Sequence, residues 1–249
     1  MAVSIDTVYQ RVLALANKEQ RGYITPQEFN LFANQAQQEI FEQYFYDLNQ
    51  VARIPGNEYV YADVDNMLEE KLQIFEHVDG PGIVNSYTSQ FGANNIHNKK
   101  LPDYIYRVSR IEFNNVDCEI LKTKDFQNII VGGPLTKSSA KKPVANIKNN
   151  VMRVLGGGDF GVNNEGFVLP TGVYYFQKPD KVEWGYFVIN DKALHDTSSS
   201  KTTNFELHAS EETELVYKIL KFAGVSIQRQ DIMQAGQGME TFQIGQEKQ

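Results

Sequence analysis

The chain has 249 residues, and its 24 Lys and Arg against 31 Asp and Glu give a formal net charge of −7. This acidic balance argues against a surface built to neutralise nucleic-acid phosphates, which requires clustered Lys and Arg. The single cysteine, Cys118, excludes an intramolecular disulfide, and no apolar run approaches the roughly 18 residues of a membrane helix. We therefore expect no signal peptide, no membrane span and a fold suited to assembly in a cytoplasm.

Residues 1–80 are predicted to form a helical opening region. Apolar residues at spacings of three and four predict a first helix within the segment from Val3 to Ala16. Its apolar face consists of Val8, Val12, Leu15 and Ala16. The helix is therefore expected to be short and amphipathic.

The second helix has a clear start signal. Thr25 can cap it, Pro26 occupies its first position, and Glu28 completes a Thr-x-x-Glu capping box. We expect it to run to about Asp47, with an apolar face of Phe29, Phe32, Ala33, Ala36, Ile40 and Tyr44. Its polar face is rich in Asn and Gln, which favours contact with another protein surface. A third helix is predicted from Asp63 to Phe75.

Beyond Gly80-Pro81-Gly82 the apolar period changes, and residues 81–203 are predicted to form an antiparallel β region. Tyr104 to Phe113 is rich in β-forming residues, and Asn114-Asn115 offers a turn before Val116 to Leu121. This pattern predicts a β-hairpin. Further strands are predicted at Phe126–Val131, Val151–Leu155, Val173–Gln177 and Val182–Ile189.

Two stretches between these strands are too polar or too small to pair. Leu135 to Pro143 contains the basic run Lys137 to Lys142, and Gly156 to Gly166 is rich in Gly and Asn. We expect both to be exposed loops, because connecting segments with few apolar residues lie on the surface. The basic run is interpreted as a solvated loop rather than as a nucleic-acid contact.

Helical signals return in residues 204–249. Ser210 can cap a helix, and Gly224 can form its left-handed stop. Glu211 and Glu212 favour the positive start of the helix and are expected to face solvent or a partner. The predicted apolar face is Leu215, Val216, Ile219, Leu220 and Ala223.

The whole pattern predicts an α+β fold. It has N-terminal helices in residues 1–80, a central antiparallel β region with exposed loops in 81–203, and a C-terminal helix with an extended arm in 204–249. The arm is expected after Gly224, because that tail is Gln-rich, interrupted by Gly and only sparsely apolar. Residues 204–249 are expected to share one structural unit with the rest of the chain.

Two strings of residues imitate ligand sites. Asn17 to Glu28 has the Gly and Glu of a calcium loop, but Arg21 places a cation where a carboxylate ligand is required. We interpret this string as a helix connector. Gly156 to Gly161 matches G-x-G-x-x-G, but Val162 to Gly166 lacks the helical pattern that would hold a pyrophosphate. No metal and no cofactor are expected.

The sequence predicts no catalytic residue. Cys118 lies in a strand pattern, where a small core residue is the expected role. The histidines show neither zinc-ligand spacing nor pairing with a nucleophile; they are His77, His97, His195 and His208. The acidic residues are scattered and offer no general acid and base pair. We therefore expect a protein that is not an enzyme.

Four segments carry a resemblance to a known family. They are Arg21–Asn30 (RGYITPQEFN), Leu101–Tyr104 (LPDY), Trp184–Tyr186 (WGY) and Asn204–Val216 (NFELHASEETELV). In these segments and in their order, the chain resembles a family of virion structural proteins of crAss-like and marine podoviruses. The resemblance spans nearly the whole chain, but residues 135–143 and 156–166 match no pattern of that family.

The resemblance implies a virion structural protein, assembled in the cytoplasm of a bacterial host, that joins the capsid portal to the tail. Its implied partners are identical subunits in a homo-oligomeric ring, the portal protein and neighbouring ring or tail proteins. DNA would pass through the lumen without specific binding. Two alternatives stay open: a tail-side adsorption module that binds a glycan through Tyr, Phe and Trp184, and an enzyme acting on the host envelope, which requires converging titratable groups.

Overall fold

The computed structural model describes residues 3–16, 24–51, 58–88, 98–132, 137–156, 166–190, 192–196, 201–226 and 230–247. The helices are α1 (Ile5–Ala16), α2 (Pro26–Val51), α3 (Glu58–Gln73), α4 (Pro81–Ser86), α5 (Thr123–Val131), α6 (Glu212–Ser226) and α7 (Gln230–Glu247). The strands are β1 (Glu76–Asp79), β2 (Lys99–Lys100), β3 (Ile105–Phe113), β4 (Val116–Asp117), β5 (Glu119–Ile120), β6 (Val144–Lys148), β7 (Val151–Leu155), β8 (Phe167–Val168), β9 (Gly172–Gln177), β10 (Tyr186–Ile189) and β11 (Lys192–His195). These elements confirm the predicted α+β class, with N-terminal helices and a central sheet region.

The described residues divide into two compact units. Unit 1 combines residues 1–74 with residues 179–249, and unit 2 consists of residues 75–178. The C-terminal helices therefore belong to the same unit as the N-terminal helices. The boundaries lie at 74/75 and 178/179, whereas the sequence pattern placed them at 80/81 and 203/204.

Helix α2 begins with the predicted capping box. The Thr25 hydroxyl accepts a hydrogen bond from the Glu28 amide at 3.3 Å, and the Glu28 carboxylate accepts one from the Thr25 amide at 3.0 Å. These bonds with Thr25 hold the pKa of Glu28 below its usual value. The helix runs past Asp47 to Val51. The predicted apolar face is buried apart from the half-buried Phe32; its buried members are Phe29, Ala33, Ala36, Ile40 and Tyr44.

The predicted apolar faces of α6 and α1 are buried with one exception. All five predicted positions of α6 are buried, namely Leu215, Val216, Ile219, Leu220 and Ala223. On α1, Val8, Val12 and Ala16 are buried, whereas Leu15 is 40% exposed. Helices α1 and α2 both pack on α6. The core of unit 1 therefore lies among these three helices.

The start of α6 differs from the prediction. A 3-10 turn over Ala209–Glu211 precedes the helix, and His208 rather than Ser210 caps this turn. The His208 Nδ1 accepts a hydrogen bond from the Ser210 amide at 3.3 Å. Glu211 was expected to face solvent or a partner, but its side chain is 1% exposed and lies 2.6 Å from the Lys71 ammonium. The Lys71 cation compensates the cost of burying this carboxylate, because burial alone disfavours its charge.

The C-terminal tail departs most from the prediction. Helix α6 continues through Gly224 to Ser226, so Gly224 is not its stop. The extended arm is also wrong, because the tail forms α7, which packs against α6. Helix α6 supplies Lys218 and Lys221 as charged partners for Glu240 of this tail, and packing of this kind stabilises helices that composition alone does not predict.

Unit 2 contains two sheets. The first has the order β1-β9-β3-β4, and the second has the order β2-β7-β6-β5 with β8 added to β7. Both sheets contribute to one apolar core, which includes Ile111 and Val173 from the first and Met152 and Val154 from the second. The predicted hairpin is present as β3 and β4, and the Asn114-Asn115 turn between them has positive φ at both residues.

Three expectations for this region are wrong. Phe126 to Val131 was predicted to be a strand but belongs to α5, because Phe126, Ile129 and Ile130 form one helical face against the core. Residues Glu76–Asp79 lie outside the helical region and form β1. Strands β5 and β6 pair in parallel, so the region is not wholly antiparallel.

Candidate interaction surface

Two asparagines on α2 hold an extended segment of the chain through its backbone. The Asn34 side chain donates to the Val182 carbonyl at 2.8 Å and accepts from the Val182 amide at 3.0 Å. Asn30 makes the same pair of bonds to Trp184, at 3.4 Å to the carbonyl and 2.9 Å from the amide. Alternate residues of an extended chain point their backbone groups the same way, so side chains one helical turn apart can each bind one of them. Each side-chain amide thus takes the place of a neighbouring strand.

Gln37 extends this arrangement along the helix. Its Nε2 donates to the Asp180 carbonyl at 2.8 Å, and its Oε1 accepts from the Glu206 amide at 3.1 Å. Together Asn30, Asn34 and Gln37 form what we call the amide ladder. The neutral polar face of α2 was expected to meet another protein surface, and at these three positions it contacts its own chain instead.

Trp184 ends the held segment as a buried anchor. Its ring is 2% exposed, and its Nε1 donates to the Asp6 carboxylate at 3.0 Å. The ring packs on Tyr9, with centroids 4.1 Å apart, and stacks against His195 at 5.6 Å and Tyr186 at 5.9 Å. Tyr186 begins β10 and His195 ends β11, so this stack fixes the base of the two-stranded hairpin.

The hairpin itself presents apolar side chains to solvent. Phe187 pairs with Leu194 in the β10–β11 register, and Ile189 lies on the same face because side chains alternate along a strand. These three are between 43% and 51% exposed, and Val188, on the opposite face, is 62% exposed. We call Phe187, Ile189 and Leu194 the hairpin patch. In the described part of the chain β10 and β11 pair only with each other, so the outer edge of each strand also has free backbone groups.

A second polar cluster lies inside unit 2, around one carboxylate. Asp79 is 6% exposed and accepts hydrogen bonds from the hydroxyls of Tyr87 at 2.5 Å, Tyr104 at 3.1 Å and Tyr175 at 3.2 Å. Burial, followed by the nearby carboxylate, raises the pKa of all three tyrosines. The phenols therefore stay protonated at neutral pH and serve as donors rather than as bases.

A cavity of about 350 Å³ adjoins this cluster. Its lining combines apolar and polar side chains, namely Ile83, Ser86, Tyr87, Thr88, Lys100, Leu101, Pro102, Asp103 and Tyr104. In its lining the phenols of Tyr87 and Tyr104 have raised pKa values, and the Ser86 hydroxyl donates to the Ile83 carbonyl at 2.6 Å. The remaining polar groups, Thr88, Lys100 and Asp103, suit contact with a polar ligand group.

A third polar cluster joins α6 to α7. The Lys218 ammonium lies 3.3 Å from the Glu214 carboxylate and 2.9 Å from that of Glu240, and Lys221 approaches Glu240 at 3.0 Å. Burial raises the pKa of Glu214 to about 7, with Lys218 opposing the shift and Glu211 adding to it. Burial acts to raise the pKa of Glu240 too, but its hydrogen bonds from Lys218 and Lys221 outweigh that effect and lower it.

Two residues whose sequence context resembled a reactive or ligand-binding site, Cys118 and Gly156, are explained by burial and packing. Burial raises the pKa of Cys118 to about 12, so it is a core thiol and not a nucleophile. Gly156 follows β7, and its amide donates to the carbonyl of Gly166, the residue before the paired strand β8. An added Cβ at Gly156 would lie 2.6 Å from Phe113, which explains the glycine through packing. Residues 157–161, 17–23 and His97 lie outside the described residues.

The other positions agree with a structural role. His77 is exposed on β1, and the described part of the basic run, Lys137 to Lys142, contains an exposed turn closed by bonds between Ser139 and Lys142. Within the described ranges, no three His, Cys, Asp or Glu side chains converge as a metal site requires. In the same ranges no helix is both long and apolar enough to cross a bilayer.

The amide-rich face of α2 is visible in the sequence, but its binding partners are not. The backbone groups that it binds lie about 150 residues away along the chain. The hairpin patch had a local signal in the sequence, since Phe187, Val188 and Ile189 are consecutive apolar residues next to Asn190, which has positive φ.

No protein-family model matches the chain, and a search of curated proteins finds no significant match.

Proposed function

We propose that the chain is a structural subunit of a tailed-phage particle, in a ring that connects the capsid portal to the tail. The observation that carries this proposal is the hairpin patch, an exposed apolar surface on a rigidly anchored hairpin. Monomeric proteins rarely leave contiguous apolar residues exposed unless the surface has a partner. The resemblance of the Trp184–Tyr186 and Asn204–Val216 segments to virion proteins supports the same assignment.

The anchoring supports assembly because it reduces the entropy lost on binding. The amide ladder and the Trp184 stack hold the base of the hairpin from two directions. A surface that is already ordered loses little conformational freedom when a partner covers it. In a ring each subunit must present two different complementary surfaces, and the hairpin patch would serve as one of them.

The ring would enclose a lumen through which DNA passes without specific binding. The net charge of −7 fits that role, because an acidic surface repels phosphates. The proposal involves no enzymatic reaction. Cys118 and the three tyrosines around Asp79 have raised pKa values and so stay protonated at neutral pH.

The alternative is a tail-side adsorption module that binds a host glycan. The cavity beside Tyr104 is the one observation that favours it, because Lys100 and Asp103 offer polar contacts next to an aromatic ring. Trp184 cannot take part, since its ring is buried beneath Tyr9 and the hairpin. Binding of labelled glycans that is lost in Tyr104→Ala would favour adsorption over assembly.

The decisive experiment combines particle composition with one pair of variants. Mass spectrometry of purified particles should detect the chain at the copy number of a ring, and native mass spectrometry should find a closed oligomer. The double variant Phe187→Ser with Ile189→Ser should keep the thermal stability of the parent but fail to form the ring. Val131→Ser is the matched control, because Val131 is an exposed apolar residue in unit 2.

Absence of the chain from purified particles would refute the proposed function. Normal ring formation by the double variant would instead show that assembly uses another surface. A large loss of monomer stability in the double variant would mean that the hairpin patch belongs to the core of the subunit.

A further inference from the structure

Helix α7 docks on α6 through charge and close backbone approach. Glu240 lies between Lys218 at 2.9 Å and Lys221 at 3.0 Å. One turn earlier, Gly236 lies so close to α6 that an added Cβ would be 3.1 Å from the Lys221 amide nitrogen and 3.3 Å from its Cβ. Residues late in α7 therefore meet residues early in α6, and the two helices run antiparallel.

Two apolar side chains of α7, Met239 and Phe242, take no part in this docking. Met239 is 43% exposed and Phe242 is 69% exposed, so both point away from α6. They are three positions apart and thus share one face of the helix. The described contacts of α7 with α6 thus use Gly236 and Glu240, while Met239 and Phe242 lie exposed on another part of its surface.

Helix α6 has its own support without α7. Its apolar face packs on α1 and α2, and Arg11 on α1 reaches Glu212 at 2.9 Å. Phe222 lies against Phe32 of α2, with ring centroids 6.4 Å apart. The two lysines and the backbone at Lys221 therefore form a preformed docking site, one that receives α7 and does not depend on it.

We propose that this docking site exchanges α7 between neighbouring copies of the chain, so that each subunit inserts its last helix against α6 of the next. Three residues separate Ser226 from Gln230, and a link of that length can either turn back or run on to a second copy. The contacts of α7 with α6 are the same in both arrangements. This inference rests on the proposed ring, where neighbouring copies are held close together.

Concentration decides between the two arrangements. A short link holds α7 at an effective concentration of about 1 mM near its own α6, so the closed form prevails in dilute solution. Copies held side by side reach comparable local concentrations, and exchange then competes without any new contact. The dilute protein is therefore expected to be a monomer, with exchange appearing as the protein concentration rises.

Disulfide trapping tests the exchange directly. Lys221→Cys and Gly236→Cys place two thiols at the closest approach of the helices, near the Cβ separation of about 3.5 to 4.5 Å that a disulfide requires. The double variant should form a bond within one chain. A mixture of the two single variants, incubated at about 1 mM and oxidised, should give a covalent dimer that neither variant gives alone. Cys118 does not interfere, because it is buried and its pKa is raised to about 12.

The possible outcomes separate this inference from the proposed function. An intrachain bond in the double variant without a covalent dimer in the mixture overturns the exchange and leaves the ring proposal standing. Failure of the intrachain bond overturns the docking geometry and the exchange with it. Absence of the chain from particles refutes the ring proposal whatever the result of trapping.

A charge-swapped pair provides a second test that needs no cysteine. Glu240→Lys and Lys221→Glu each place like charges between α7 and α6 of the same chain. Mixed together, the two variants are complementary only between chains, so the mixture should yield a mixed dimer by native mass spectrometry. The chain that carries both substitutions is the matched control and should return to the concentration dependence of the parent. A mixture that stays monomeric at high concentration contradicts the exchange.

Discussion

The two units provide partners for their buried polar groups in different ways. In unit 2 a single carboxylate, Asp79, receives three neutral hydroxyl donors, and an apolar core lies around it. In unit 1 the buried acids meet cations, and the extended segment is held by side-chain amides. The tyrosine cluster of unit 2 therefore depends on a single acceptor, whereas unit 1 distributes its charged contacts over several elements.

This difference predicts how each unit responds to the loss of one partner. If Asp79 is replaced, all three tyrosine hydroxyls lose their shared acceptor and must rearrange. In a distributed cluster the remaining charges can partly compensate, as Lys218 would still face Glu214 if Glu240 were lost. Unit 1 should therefore tolerate single polar changes better than unit 2, while both should be intolerant of charges placed in their apolar faces.

The largest effect is expected for Ile219→Asp on α6. Ile219 is fully buried in the apolar face that packs on α1 and α2, and an unpaired carboxylate there should cost about 4 kcal/mol or more. Chemical denaturation measures this loss. Thr213→Asp, at an exposed position of α6, is the control and should change stability little. Equal midpoints for the two variants would show that this face is not the core of unit 1.

Asp79→Asn should produce the next largest loss, at about 3 kcal/mol, in unit 2. Asparagine keeps the shape but replaces one acceptor oxygen with an amino group, so at least one tyrosine hydroxyl must turn to accept instead of donating. Asp103→Asn, at an exposed neighbouring position, controls for the loss of charge alone. If hydrogen exchange shows the same protection of β1 and β9 in both variants, the tyrosine cluster does not stabilise the sheet.

Asn34→Ala should cost about 2 kcal/mol, because two bonds to the Val182 backbone are lost and the partner groups stay partly buried. The loss should be local, with faster amide exchange in the hairpin than in α6. Gln38→Ala is the matched control, since Gln38 is exposed and its side chain bonds only to Glu42 in the next turn. Equal exchange in both variants would mean that the amide ladder does not anchor the hairpin.

Local signals in the sequence predicted the elements whose determinants are local. The capping box at Thr25 and Glu28 forms as expected because all its atoms lie within one turn. Asn114-Asn115 closes its hairpin because asparagine tolerates positive φ. The apolar residues of α6 are spaced three and four positions apart, so they lie on one side of the helix. That side is buried, as the spacing predicts.

Prediction failed where the partner determines the conformation. Phe126 to Val131 is too short an apolar run to distinguish a strand from a helix, and its packing against Val144 and Leu155 favours the helix. Glu240 of α7 binds Lys218 and Lys221 of α6, and no apolar periodicity in the tail after Gly224 could indicate these charged contacts. For the same reason no local pattern could show that Asn34 binds Val182.

The smallest expected effect is the pH dependence of the stability of unit 1. It is also the effect that most directly tests the contrast between the two units. Burial raises the pKa of Glu214 from 4.5 to about 7, so the folded chain binds a proton that the unfolded chain has released between these values. The stability from this group is therefore complete below pH 4.5 and is lost as the pH rises through about 7. The charged groups around it are Lys71, Glu211, Lys218, Lys221 and Glu240.

Glu214→Gln removes this titration, because the amide resembles the protonated acid at every pH. The melting temperature of the parent should fall between pH 5 and pH 8, and that of the variant should fall less. The variant should gain on the order of 1 kcal/mol over the parent at pH 8, since Lys218 offsets most of the cost of burying the charge. Glu240 affects a different range: its lowered pKa makes its contribution complete above pH 4.5 and lost only at lower pH. Parallel melting curves for parent and variant from pH 5 to pH 8 would show that Glu214 stays charged beside Lys218, and the distributed cluster of unit 1 would then be as insensitive to neutral pH as the tyrosine cluster of unit 2.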